Sequence, residues 1–179
     1  YTLRIAGGGA SWSGGRIDLG SGGASLHVQP GVTFSVTGAE RSLVDTNDSG
    51  RFVSEGVLSV SLAPGARLGL ETGTVTPGNA VHIESGTLSI AANGTHTASF
   101  DGAGLLRFNG GTQTFGSGAS LTVSNLDVRT ANLTVQNGAT FAVGDFHLWG
   151  GGTLSISNAG TTATAVTARI SEAAATVSL

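Results

Sequence analysis

The sequence predicts an all-β fold, a single-stranded parallel β-helix with about 20 residues and three short strands per coil. Three observations predict it. "GASLTVSNLDV" (Gly118 to Val128) and "GATFAVGDFHL" (Gly138 to Leu148) match position for position, with small, apolar and linker residues in the same places. Short apolar–x–apolar triplets recur along the chain, separated by Gly, Asn, Ser and Thr. The 179 residues include 30 glycines, with 39% hydrophobic and only 11% charged residues. That composition is too apolar for a disordered tail and too rich in glycine and β-branched residues for long helices.

The elements follow in order. In the amino-terminal half, "LRI" (Leu3 to Ile5), "RIDL" (Arg16 to Leu19), "SLHV" (Ser25 to Val28) and "TFSV" (Thr33 to Val36) read as strands at uneven spacing. Residues 37–56 gather Glu40, Arg41, Asp45, Asp48, Arg51 and Glu55, and predict a charged excursion or wider coil within one domain spanning residues 1–179. Residues 57–179 predict the most regular coils. There "VHI" (Val81 to Ile83), "LSI" (Leu88 to Ile90), "ASF" (Ala98 to Phe100) and "LRF" (Leu106 to Phe108) lead into the matched pair of segments. "AVTARI" (Ala165 to Ile170) and "ATVSL" (Ala175 to Leu179) supply the last strands. About nine coils, a strand spacing of about 4.8 Å apart, would make a rod on the order of 40 Å long.

A triplet of this kind puts its outer residues on one face and its middle residue on the other. Alone it is too short to be stable, but stacked on its own copy it gains a parallel ladder and an apolar neighbour above. Inward positions therefore stay apolar while outward positions drift. The expected core columns are Leu106, Leu126, Phe146 and Val166, beside Phe108, Val128, Leu148 and Ala168. Leu121 with Phe141, Val123 with Val143, Leu133 with Leu154 and Val135 with Ile156 complete the set. Asn137 and Asn158 fit a turn ladder in which side chains bond between coils. A β-sandwich would need hairpin turns and gives no reason for the lag. The usual right-handed winding is expected.

Few residues suggest chemistry. Arg107, Asp127 and His147 are the middle residues of successive triplets, so they form an outward column. An enzyme of the polysaccharide lyase or hydrolase class would use them as acid/base groups. A solvent-facing charge ladder explains them with fewer assumptions. Asp45, Asn47 and Ser49 alternate before Gly50 like the start of a calcium loop, but Glu55 stands one place early and no helices flank it, so an Asx-rich turn is expected. Trp12 and Trp149 lie among glycines, suited either to stack on a sugar or partner or to cover an open corner of the coil. His27 and His82 are middle residues of strands and are expected in solvent. No cofactor is expected.

Net charge of −3, with no lysine and scattered arginines, gives no nucleic-acid footprint. No apolar run is long enough to span a membrane, and the lack of cysteine excludes disulfides and thiolate metal sites. The first residue is Tyr1, without a methionine or a basic–apolar leader, which suits a mature product or a piece of something longer. The "GASLTV", "GATFAV", "GGTLSI" cadence with "NG" and "NAG" turns resembles the passenger regions of bacterial autotransporters and related secreted adhesins. The resemblance covers most of Gly56 to Leu179 and implies an exported, cell-surface stalk, adhesin or matrix component.

A regular solenoid exposes strand edges and interior at its ends unless they are capped. "SEAAA" (Ser171 to Ala175) could form a small helical cap, yet Tyr1, Leu3 and Ile5 at one end and Val177 and Leu179 at the other suit stacking between copies. The expected function is thus an extracellular structural subunit of a fibre or rod, with itself as partner. An adhesin binding surface glycans and a β-helical glycan-cleaving enzyme are the alternatives. An ice-binding face would need unbroken threonine columns, and Thr122 over Ala142 and Thr134 over Ser155 break them.

Overall fold

The computed structural model describes residues 1–20, 22–157, 162–171 and 176–178, and among them there is no helix. The expected Asn158 and Leu179 positions, most of the "SEAAA" segment and the Val166 side chain lie outside the described residues. The chain winds through a β-solenoid of about 8 turns, about 22 residues each. The first turn holds β1 (Thr2–Ile5), β2 (Ala10–Trp12) and β3 (Arg16–Asp18). The second holds β4 (Ser25–Val28), β5 (Thr33–Gly38) and β6 (Arg41–Val44), and the third β7 (Arg51–Ser54), β8 (Val57–Leu62) and β9 (Arg67–Glu71). The fourth holds β10 (Thr74–Pro77), β11 (Ala80–Ser85) and β12 (Thr87–Ile90). Afterwards the second and third strands fuse. The fifth turn is β13 (Asn93–His96) and β14 (Ser99–Asn109), the sixth β15 (Thr112–Phe115) and β16 (Ser120–Arg129), the seventh β17 (Asn132–Val135) and β18 (Thr140–Trp149). The eighth is β19 (Thr153–Ile156) and β20 (Thr162–Ile170), and β21 (Thr176–Ser178) starts a ninth on one face only.

Every pairing among these strands is parallel, between a strand and its counterpart one turn away. One face is a continuous ladder from β1 through β4, β7, β10, β13, β15, β17 and β19 to β21. The other two faces join into one sheet because β14 pairs with both β11 and β12. Their corner narrows to Gly86 between β11 and β12 and is then absorbed into β14. There the register shifts between Gly102 and Leu105. Gly102 has φ +117, and a Cβ at this position would lie 2.2 Å from the Ile83 carbonyl oxygen. Only glycine bends the strand this tightly against the turn below.

Inside the tube the side chains stack in columns. Leu68, Leu88, Leu106, Leu126 and Phe146 follow one another in register, as do Leu70, Ile90, Phe108, Val128 and Leu148 beside them. Leu121 pairs with Phe141, Leu133 with Leu154 and Val135 with Ile156. These residues, with Val123 and Val143, are buried. The last turn departs from the expected lag. Phe146 pairs with Ala168 and Leu148 with Ile170, so Ala168 takes the column place expected of Val166, and Ile170 takes that expected of Ala168. The cause is a lengthened turn: β17 to β19 steps by 21 residues (Asn132 to Thr153) and β18 to β20 by 22 (Thr140 to Thr162).

Residues 37–56 contain β6 and β7, both in register with adjacent turns. The widening sits in the turn from Asp45 to Gly50, which makes the step from Ser25 to Arg51 26 residues long. Arg41 occupies an inward position in register with Leu68. Its guanidinium is buried and donates to the carbonyls of Ser13, Thr37 and Glu40, closing the corner beside the first turn.

Asn137 is exposed in its turn. Polar side chains bond between turns along the start of the first face. Asn93 Oδ1 accepts the Thr112 backbone N–H at 2.9 Å, and Asn132 Oδ1 accepts the Thr153 hydroxyl at 2.8 Å. A short polar side chain at the first residue of a strand meets the unpaired groups of the next corner, where a bond between turns is most needed.

Candidate functional site

The strand registers bring Arg107, Asp127 and His147 into one column, followed by Arg169. Two residues absent from the expected trio join it. Arg129 and Trp149 each stand two places beyond Asp127 and His147, and they are themselves in register. Asp127 is the centre. Its Oδ2 accepts from Arg107 Nε and Arg129 Nε, both at 2.9 Å, and its Oδ1 accepts from the Trp149 indole N–H. The Arg129 guanidinium lies 3.6 Å from the centroid of the Trp149 ring. The His147 ring stacks near that indole at 5.8 Å, and its Nε2 meets the Ser171 hydroxyl at 2.9 Å.

This arrangement buries a carboxylate on an outward face. Asp127 is 5% exposed because two arginines and a tryptophan roof it over. Desolvating a carboxylate is costly unless charge-assisted donors satisfy it, and here three do. Both oxygens are engaged, so Asp127 fits the role of an anchor holding two guanidinium groups better than that of a proton acceptor. The twenty-residue repeat carried the signal for this pairing. "LDVR" and "FHLW" align letter for letter, which places Arg129 against Trp149.

The other candidates are placed differently. Asp45, Asn47 and Ser49 share one turn, where the Asp45 carboxylate accepts the backbone N–H groups of Gly50 and Asn47, and the Ser49 hydroxyl donates to Asn47 Oδ1 at 2.5 Å. The Gly50 N–H, first among several backbone donors, holds the Asp45 carboxyl below its usual range. These oxygens serve an Asx turn, the part such residues play in loops. Trp12 is buried, donates to the Gly14 carbonyl at 2.7 Å and lies parallel to Phe34 with centroids 6.3 Å apart, so it covers the corner of the first turn. His27 meets Glu55 at 2.7 Å and His82 meets Asp101 at 2.5 Å, both as surface pairs between turns.

The two ends differ from the sides. At the first turn Tyr1 is fully exposed and Leu3 56% exposed, with Ile5 partly covered. At the last, Ile170 is 57% and Val177 38% exposed. Beneath them an apolar pocket of about 220 Å³ opens between Phe141, Phe146, Leu154, Ile156, Ile170 and Val177. Among the described residues, the large exposed hydrophobic side chains thus lie in the two terminal turns.

These features define the class of the protein: a β-solenoid whose interior is continuous from end to end. Comparison with family models, with curated proteins and with solved structures finds no match to this chain. No helix among the described residues is long and apolar enough to cross a membrane.

Proposed function

We propose that this solenoid is a secreted structural subunit that builds a rod or fibre by adding the first turn of one copy to the last turn of another. The observation that carries the reading is the apolar exposure of the two terminal turns, Tyr1 and Leu3 at one and Ile170 and Val177 at the other. An open parallel edge is a template for a further strand, and stacking would also cover the apolar pocket at the last turn. Head-to-tail contact between unlike surfaces does not close on itself, so it propagates. The repeat cadence shared with autotransporter stalks supports a place outside the cell. The engagement of both Asp127 oxygens favours a structural over a catalytic role for the outward column.

Light scattering and electron microscopy over a concentration series test this. The wild-type chain should form unbranched linear oligomers. Leu3→Glu and Ile170→Glu, each placing a charge on one end, should both abolish them without changing the circular dichroism of the fold. A wild-type particle that stays monomeric at high concentration, or a Leu3→Glu chain that still polymerises, would overturn the reading.

A further inference from the structure

Arg107 and Arg129 are held side by side by a single oxygen atom. Each bonds Asp127 Oδ2 through Nε at 2.9 Å, so the outer edge of each planar guanidinium is not used by that bond. The two positive charges meet one negative charge, so the cluster keeps a surplus cation. Neither arginine is free to fold away: Arg129 lies on the Trp149 ring at 3.6 Å, and Trp149 is fixed by its bond to Asp127. Two guanidinium forks locked by a buried anchor are pre-organised, which lowers the ordering cost of binding an oxyanion. The column continues through His147 to the exposed Arg169, one strand spacing per step. Three of the chain's eight arginines thus line this face, although the protein as a whole carries −3.

We infer that this face binds a linear acidic polysaccharide, with its carboxylate or sulfate groups on Arg107, Arg129 and Arg169 and its chain running along the solenoid axis. Arg107, Arg129 and Arg169 come from the fifth, sixth and eighth turns, so the cations are spread along that axis over three strand steps, which suits a polymer better than one small anion. A nucleic acid fits less well. Its dense phosphate charge would meet a net-negative protein, and the only tryptophan here is already stacked with Arg129 and His147 instead of offering a face to a base. The inference is independent of end-to-end assembly, since it concerns the side of the rod.

Isothermal titration of the full chain with heparin fragments and with polygalacturonate, at low and at physiological salt, tests it. At least one polymer should bind, with affinity falling as salt rises. Arg169→Gln, on an exposed side chain, should weaken binding roughly three- to fivefold while leaving the melting temperature in place. Arg129→Gln should weaken it further. To separate a binding loss from a folding loss in that variant, its circular dichroism and its oligomerisation are measured alongside. Absence of binding to both polymers at low salt would overturn the inference. So would unchanged affinity in Arg169→Gln and Arg129→Gln, or tighter binding of a single-stranded oligonucleotide than of either glycan.

Discussion

Replacing Phe115 with alanine will destabilise the protein by about 3–5 kcal/mol, the range for removing a buried aromatic ring from a packed core. Phe115 is fully buried and is the hub of an aromatic cluster. Its ring centroid lies 4.7 Å from His96, 5.3 Å from Phe100 and 6.0 Å from Phe108. Those rings come from β13, β14 and β15, so the cavity would open across both turns that meet there. A solenoid is held together by nearest-neighbour contacts, and a weakened central interface separates the array into two short halves. Thermal denaturation should show a loss of about 10 °C or more, or a split into two transitions. Leu154→Ala, near the last turn, serves as the comparison, because an end turn that frays takes few neighbours with it. Equal losses for the two variants would mean that the aromatic cluster has no special place in the fold.

That cluster marks the limit of what the sequence discloses. Where inward positions are both aliphatic or aromatic, as in "LRF", "LDV" and "FHL", the triplets announce themselves and their stacking follows from the lag. β13 and β15 do not. Their inward residues are Gly94 with His96 and Gln113 with Phe115, so the alternation reads as a polar turn. The reason is steric and local. A Cβ on Gly94 would lie 2.6 Å from the His96 ring and 2.8 Å from Gln113 Oε1, so the missing side chain is what admits the polar pair. Nothing in the letters of "NGTH" says that another turn will supply the partner. The same holds for Asp127. Its position in an outward column was legible, but its burial depends on long side chains from Arg107, Arg129 and Trp149 that only coordinates bring together. At the far end, the pairs read at a lag of 21, Leu133 with Leu154 and Val135 with Ile156, stand in register, but the step from β18 to β20 is 22 residues, so a lag of twenty carried on from Phe146 fell two places short.

The buried histidine predicts how the protein responds to acid. His96 is fully buried, with its Nε2–H donating to Gln113 Oε1 at 2.8 Å. Gln113 Nε2 in turn donates to the Ala92 carbonyl, which fixes the amide orientation and so leaves His96 Nδ1 as the bare nitrogen. That atom is buried without a partner among the described residues, and the surrounding rings belong to Phe100, Phe108 and Phe115. A proton arriving at Nδ1 would create a buried charge with no acceptor among the described residues. Burial accordingly pushes the pKa of His96 from 6.5 down to about 4, against a smaller opposing effect of the Gln113 bond. Above pH 6.5 both the folded and the unfolded chain hold a neutral imidazole. Between 6.5 and about 4 the unfolded chain takes up a proton that the folded chain refuses, so stability falls as the pH falls. Across the whole window the loss amounts to about 3 kcal/mol, and below it the contribution levels off. Denaturant titrations at pH 7, 5.5 and 4 (roughly the window's top, middle and floor) will show the midpoint dropping. In the double variant His96→Leu with Gln113→Leu, which removes both polar partners and leaves neither stranded, that part of the drop should vanish. If the double variant loses stability with acid as steeply as the wild type, the acid sensitivity arises elsewhere and the buried imidazole is not its source.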